Sequence, residues 1–176
     1  AQMLIGVKPY SSMETGEPVY SDLTVDLSGL YTRNVINMYG MFSNLNVTPV
    51  LGDGFDTRNV LYMYRMFASY KGDVLDKFLN MDTSKVTNMK EMWSSAGKGN
   101  AKFNYDTSKV TDMCKMFSSC YFTGLDLTTF DTTSVTDMGY MFNGCQELIN
   151  LDLSNFNTNN VTSMSNMFQN CNKLTN

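Results

Sequence analysis

Six segments of this chain carry one apolar pattern, Val-x-x-Met-x-x-Met-Phe, and no other feature restricts the fold as strongly. The valines are Val35, Val60, Val86, Val110, Val135 and Val161, spaced 25, 26, 24, 25 and 26 residues apart. Three residues on stand Met38, Met63, Met89, Met113, Met138 and Met164, and three further on Met41, Met66, Met92, Met116, Met141 and Met167. An aromatic follows each second methionine, as Phe42, Phe67, Trp93, Phe117, Phe142 and Phe168. A threonine stands three residues ahead of each valine, as Thr32, Thr57, Thr83, Thr107, Thr132 and Thr158. A fixed period of this length marks stacked supersecondary units, none of which can bury its apolar residues alone.

Apolar residues at offsets 0, 3, 6 and 7 fall along one side of a helix with 3.6 residues per turn. The pattern therefore predicts a short amphipathic helix in each copy, one of them at roughly 111–119, with Thr87, Thr111, Thr136 and Thr162 as N-caps. Leu125-Asp126-Leu127, Leu151-Asp152-Leu153 and Val25-Asp26-Leu27 alternate apolar and polar residues and read as strands. The expected fold is α/β: a leucine-rich-repeat-like solenoid of about six coils, each a short strand plus a short helix, over 25–176, with residues 1–24 as an N-terminal cap. The twelve methionines form the core ladder between helix and strand layers, where their flexibility suits coils that differ by a residue in length. The second to fourth copies depart from this. Val50-Leu51-Gly52, Asp76-Lys77-Phe78 and Asn100-Ala101-Lys102 stand at the strand position without a clear alternation.

The segment from Leu151 to Cys171, Leu-Asp-Leu-Ser-Asn-Phe-Asn-Thr-Asn-Asn-Val-Thr-Ser-Met-Ser-Asn-Met-Phe-Gln-Asn-Cys, closely resembles the BspA-like bacterial leucine-rich repeat. That repeat also occurs in a domain of mycoplasma surface lipoproteins, and the likeness runs from about residue 23 to the C-terminus. It implies an exported protein on a bacterial cell surface, and several members of the family act as adhesins toward host matrix proteins or other bacteria.

Charge narrows the partners. Thirteen basic and 17 acidic residues give a net charge of -4, which lacks the basic stripe that nucleic acid requires. No stretch is apolar enough to cross a bilayer, and Ala1 to Pro9 lacks the form of a secretory signal. The last copy stops at Asn176, so the parent protein is expected to continue, with its signal and anchor outside this segment.

Little in the sequence points to chemistry. Cys120, Cys145 and Cys171 occupy one ladder position, three residues after the aromatic, where earlier copies have Leu45, Tyr70 and Ala96. Small buried thiols are the expected reading; a disulfide between adjacent coils, or between Cys114 and Cys120, is the alternative. With no histidine and no Cys-x-x-Cys, a zinc site is not expected, and no cofactor or metal is. Asp56, Asp82, Asp106 and Asp131 form an acidic ladder that reads as turn capping rather than as a calcium site, since Tyr31 and Asn157 hold the same position. A serine or cysteine nucleophile has no histidine base here, and the aligned aspartates lie in a row rather than across a cleft, so an enzyme is not expected.

Tyr39, Tyr62, Tyr64, Tyr70, Tyr121 and Tyr140 lie outside the Val, Met and aromatic positions, and exposed tyrosine is enriched on recognition surfaces. They are the candidate binding residues. The function expected is a non-enzymatic adhesion module presenting a face to an extracellular protein or glycan, such as host matrix, mucin or another bacterial surface protein. The alternative is a structural spacer or assembly unit of a surface layer or filament, self-associating through an uncapped C-terminal coil.

Overall fold

The computed structural model describes residues 24–175, so the N-terminal cap expected over 1–24 lies, apart from Thr24, outside the described residues. Its elements are short: β1 (Val25–Leu27), β2 (Pro49–Leu51), α1 (Asp76–Leu79), β3 (Gly99–Lys102), β4 (Phe122–Asp126) and β5 (Asn150–Leu151). β1 pairs in parallel with β2, and β3, β4 and β5 form a second parallel sheet in that order. The second and fourth copies thus do supply strands, in spite of their weak alternation. Only the third copy fails to, and there α1 replaces the strand. Lys77 on that helix donates from Nζ to the carbonyl of Gly52 at 2.8 Å, next to the end of β2.

The expected solenoid of six strand-helix coils is not what forms. The one helix among the described residues is four residues long and lies outside every Val-x-x-Met-x-x-Met-Phe segment. Each of those segments is a pair of tight turns. In the fourth copy Met116 N–H donates to the Met113 carbonyl, and Cys120 N–H to that of Phe117; the first bond recurs in every other copy and the second in all but the third. The third residue of each turn has positive φ, as with Lys115 and Ser119 at +58° and +55°. That combination has the form of a type II turn, and a residue in this left-handed region cannot continue a right-handed helix. The same two positions are left-handed in all six copies: Gly40 and Asn44, Arg65 and Ser69, Glu91 and Ser95, Lys115 and Ser119, Tyr140 and Gly144, Asn166 and Asn170.

Backbone groups freed by the absence of a helix bond to the neighbouring copy. Met113, Lys115, Phe117 and Ser119 donate to the carbonyls of Asp137, Gly139, Met141 and Asn143 at 2.6–3.0 Å, and the same offsets recur at the other four junctions. Parallel bridges mark the column, from Asn37 to Tyr62, Asn88, Asp112, Asp137 and Ser163. Thr87, Thr111, Thr136 and Thr162 are therefore not N-caps. Their N–H groups donate to carbonyls of the preceding copy, Leu61, Thr87, Thr111 and Thr136 respectively.

One apolar cluster runs through the stack from Met38 to Met167. Ten of the twelve ladder methionines are buried, Met41 is half-buried, and Met164 in the sixth copy is 49 % exposed, a departure from the expected core role. Phe168 in that copy is exposed as well. No later copy among the described residues lies over them. The aromatics stack copy on copy, with ring centroids 4.1 Å apart for Phe67 and Trp93 and 5.8 Å for Phe117 and Phe142. Rings at such spacing add about 0.5–1.5 kcal/mol per pair beyond the area they bury.

The threonine ladder has a polar reason. Thr32, Thr57, Thr83, Thr107 and Thr132 are buried, and each hydroxyl donates to the backbone carbonyl one residue ahead of the next threonine, at 2.7–2.9 Å. Thr107→Val keeps the side-chain shape but leaves the Asp131 carbonyl without this donor. It is expected to lower unfolding free energy by about 1–3 kcal/mol. The matching change at exposed Thr158 is expected to cost under about 0.5 kcal/mol. Urea denaturation of the two variants measures the difference.

Candidate binding surface

Positions whose backbone is fixed by the ladder but whose side chains differ between copies are where a recognition surface can arise. The first turn of each copy presents outward the residues one, two and four places after the valine. In the first copy these are Ile36, Asn37 and Tyr39, and in the second Leu61, Tyr62 and Tyr64. The third to sixth copies instead carry Thr at the first of these positions, Asn, Asp or Ser at the second, and Lys90, Cys114, Gly139 and Ser165 at the third. An apolar and aromatic patch is thus confined to two adjacent copies.

Its geometry follows from the junction bonds. The Met38 and Gly40 N–H groups donate to the Tyr62 and Tyr64 carbonyls, which sets the two copies in register. Tyr39 and Tyr64 then stack with ring centroids 5.1 Å apart and planes 28° apart. The Asn37 side chain accepts the Tyr39 N–H at 2.8 Å and holds the turn. Ile36 and Tyr39 are each 57 % exposed and Tyr62 47 %, while Leu61 and Tyr64 are half-buried beneath them. At the rim, Arg65 faces the Glu91 carboxylate at 3.4 Å.

The other three candidate tyrosines do not join this patch. Tyr70 is buried, which corrects its assignment to the surface: it fills the ladder position held by Cys120 in the fourth copy, and its hydroxyl donates to the Asp73 carbonyl at 2.9 Å. Burial pushes its phenol up to about 12. Tyr140 lies three copies from the patch, with the Lys115 ammonium 5.5 Å from its ring centroid. Tyr121 is exposed but falls past the second turn. Sequence reasoning passed over Ile36 and Leu61, although an aliphatic residue where four other copies carry threonine was the available signal.

The acidic ladder has the local role expected of it. Asp56, Asp82, Asp106 and Asp131 each accept the N–H two residues on, at 2.9–3.1 Å, and Asn157 does the same. Hydrogen bonds from the side chain and backbone of Ser108 and of Thr133 hold Asp106 and Asp131 below the usual carboxylate range. Among the described residues no three metal-ligating side chains cluster. An open cleft of about 470 Å³ lies where α1 displaces the strand, and both of its basic side chains are paired with carboxylates of its own lining: Arg58 with Asp56 at 2.7 Å and Lys77 with Asp53 at 3.5 Å.

No curated protein and no solved structure matches the chain. A family described as "Mycoplasma protein of unknown function, DUF285" matches it twice, over residues 12–104 and over residues 71–176. The two matches overlap inside the repeat array and together take in all six copies of the motif. The chain therefore belongs to this DUF285 family of mycoplasma proteins.

Proposed function

We propose that the chain is a non-enzymatic binding module of a bacterial cell surface, and that Tyr39, Tyr62, Tyr64 and Ile36 form the face it offers to an extracellular protein or glycan. The observation that carries this reading is that, at the first-turn positions one, two and four places after the valine, aromatics occur in the first two copies alone. At the same backbone positions the other copies carry small or polar residues, so the fold has no need of tyrosine there. Exposed tyrosine contributes apolar area at low conformational cost and a hydroxyl for hydrogen bonding, which suits either partner class. The BspA-like repeat pattern supports an adhesive role at the surface.

The test borrows residues that the fold already accepts at these positions. A variant with Ile36→Thr, Tyr39→Ser, Tyr62→Asn and Tyr64→Lys is expected to fold as the parent does, because Thr87, Ser165, Asn88 and Lys90 occupy those places in other copies. Binding to immobilised matrix proteins, mucin or bacterial surface proteins is expected to weaken at least roughly tenfold, since tyrosine at the centre of an interface carries about 2 kcal/mol or more. Unchanged affinity removes the patch from the interaction. Saturable binding to none of these partners, together with concentration-dependent self-association, selects the assembly role instead.

A further inference from the structure

The thiol column of the last three copies does something that neither the fold nor the binding face requires. Cys120 and Cys145 hold the same position in adjacent copies, and both are buried. The Cys120 thiol donates to the Cys145 sulfur at 3.2 Å, and Cys145 in turn donates to the Phe117 carbonyl at 2.9 Å. Their backbones match. Each cysteine closes the second turn of its copy, by Cys120 N–H to Phe117 and Cys145 N–H to Phe142, and the Ser119 N–H to Asn143 bond at 2.6 Å ties the two copies one residue earlier. Copies hydrogen-bonded in this parallel manner lie about 4.8 Å apart, within the roughly 4.4–6.8 Å between Cα atoms that a disulfide spans. Cys171 is placed differently. It is half-buried, and its thiol donates to the Phe142 carbonyl at 3.0 Å rather than to a sulfur.

We infer that Cys120 and Cys145 are a redox pair that closes to an inter-repeat disulfide under peroxide, clamping the fourth copy to the fifth. Hydrogen peroxide is neutral and little larger than water, which suits a buried target. One cysteine sulfur attacks peroxide, the O–O bond breaks, and sulfenic acid and one water form. The second thiol then displaces the hydroxyl from that sulfur; the S–S bond forms, the S–O bond breaks, and a second water leaves with the remaining thiol proton. Two thiols are oxidised and one peroxide is reduced. The clamp closes a loop 25 residues apart in sequence, which the unfolded chain would otherwise leave open.

The experiment treats the folded protein with hydrogen peroxide, alkylates remaining thiols after unfolding, and maps the peptides. The expected product has lost two hydrogens, contains one Cys120–Cys145 linked peptide, and melts roughly 5–10 °C higher until dithiothreitol is added. Cys120→Ala and Cys145→Ala each abolish the link and the shift, whereas Cys171→Ala leaves both. Alanine folds at this site, as Ala96 does in the third copy. Cys120 and Cys145 recovered as free thiols after Cys114 and Cys171 have been oxidised, or a disulfide that takes in Cys171, overturns the assignment.

Discussion

Met113→Ala is expected to lower the unfolding free energy by about 2–5 kcal/mol, while Met164→Ala, the same motif position two copies later, costs under about 1 kcal/mol. The motif is identical at both sites, so the difference isolates burial from sequence. Met113 is fully buried, under the fifth copy, whose Asp137 carbonyl accepts its N–H. Truncation there removes three heavy atoms and leaves a void between layers that are bonded to each other on both sides and cannot collapse. Met164 is about half exposed, and water fills the space its truncation leaves. Paired urea titrations, with far-ultraviolet circular dichroism to confirm that both variants keep the native spectrum, measure the contrast. Equal losses would mean that the sixth copy is covered in solution, and that the burial argument fails there.

That contrast also marks how much of the architecture the sequence could reveal. The period, the alignment of the copies and the burial of most of the ladder follow from Val-x-x-Met-x-x-Met-Phe itself, because a single copy has no way to hide those side chains. The helices did not follow, and the reason is local. Apolar offsets of 3, 3 and 1 fit one face of a helix, but two successive four-residue turns bring the same residues to one side. What decides between them is the backbone five and nine places after the valine, left-handed in every copy. Glycine or asparagine at both positions, as Gly40 and Asn44 or Asn166 and Asn170, was the legible cue. Arg65, Glu91 and Lys115 at the first of them hid it, since such residues favour helices in isolation and hold positive φ here only because the neighbouring copy bonds their N–H groups.

The strands were misjudged for a different reason. β2 and β3 are three and four residues long and each pairs with a single neighbour, β1 and β4, so there are too few positions for an alternation to show. The binding patch was partly legible. Tyr39, Tyr62 and Tyr64 were evident as surplus aromatics, whereas Tyr70 looked like one of them until its alignment with the cysteine column was matched by burial. Comparing copies position by position separates the two cases, since Tyr70 stands where Ala96, Cys120 and Cys145 are buried, whereas Tyr39 stands where every other residue with a side chain is at least partly exposed.

A steric consequence of the same turns gives the second large effect. Gly97→Ala is expected to destabilise the protein by about 3 kcal/mol or more, and Gly99→Ala by about 1–2 kcal/mol. Both glycines have positive φ, +79° and +67°, so both substitutions place an L-residue in the left-handed region and pay that cost alike. They differ in what the added methyl meets. Around Gly99 nothing lies within 4 Å of the new Cβ. At Gly97 the Cβ falls within contact of three ring carbons of Phe122, which is buried and packed edge-on against Trp93, Phe103 and Phe117. Phe122 is the first residue of β4, so displacing its ring strains the strand that joins β3 to β5. The double variant Gly97→Ala with Phe122→Leu is expected to recover part of the loss, because the smaller side chain vacates the space the methyl needs. Thermal denaturation of the two single variants and the double separates the terms. If Gly99→Ala proves as costly as Gly97→Ala, backbone strain alone accounts for both, and close packing of Phe122 against Gly97 is not what holds the third and fourth copies together.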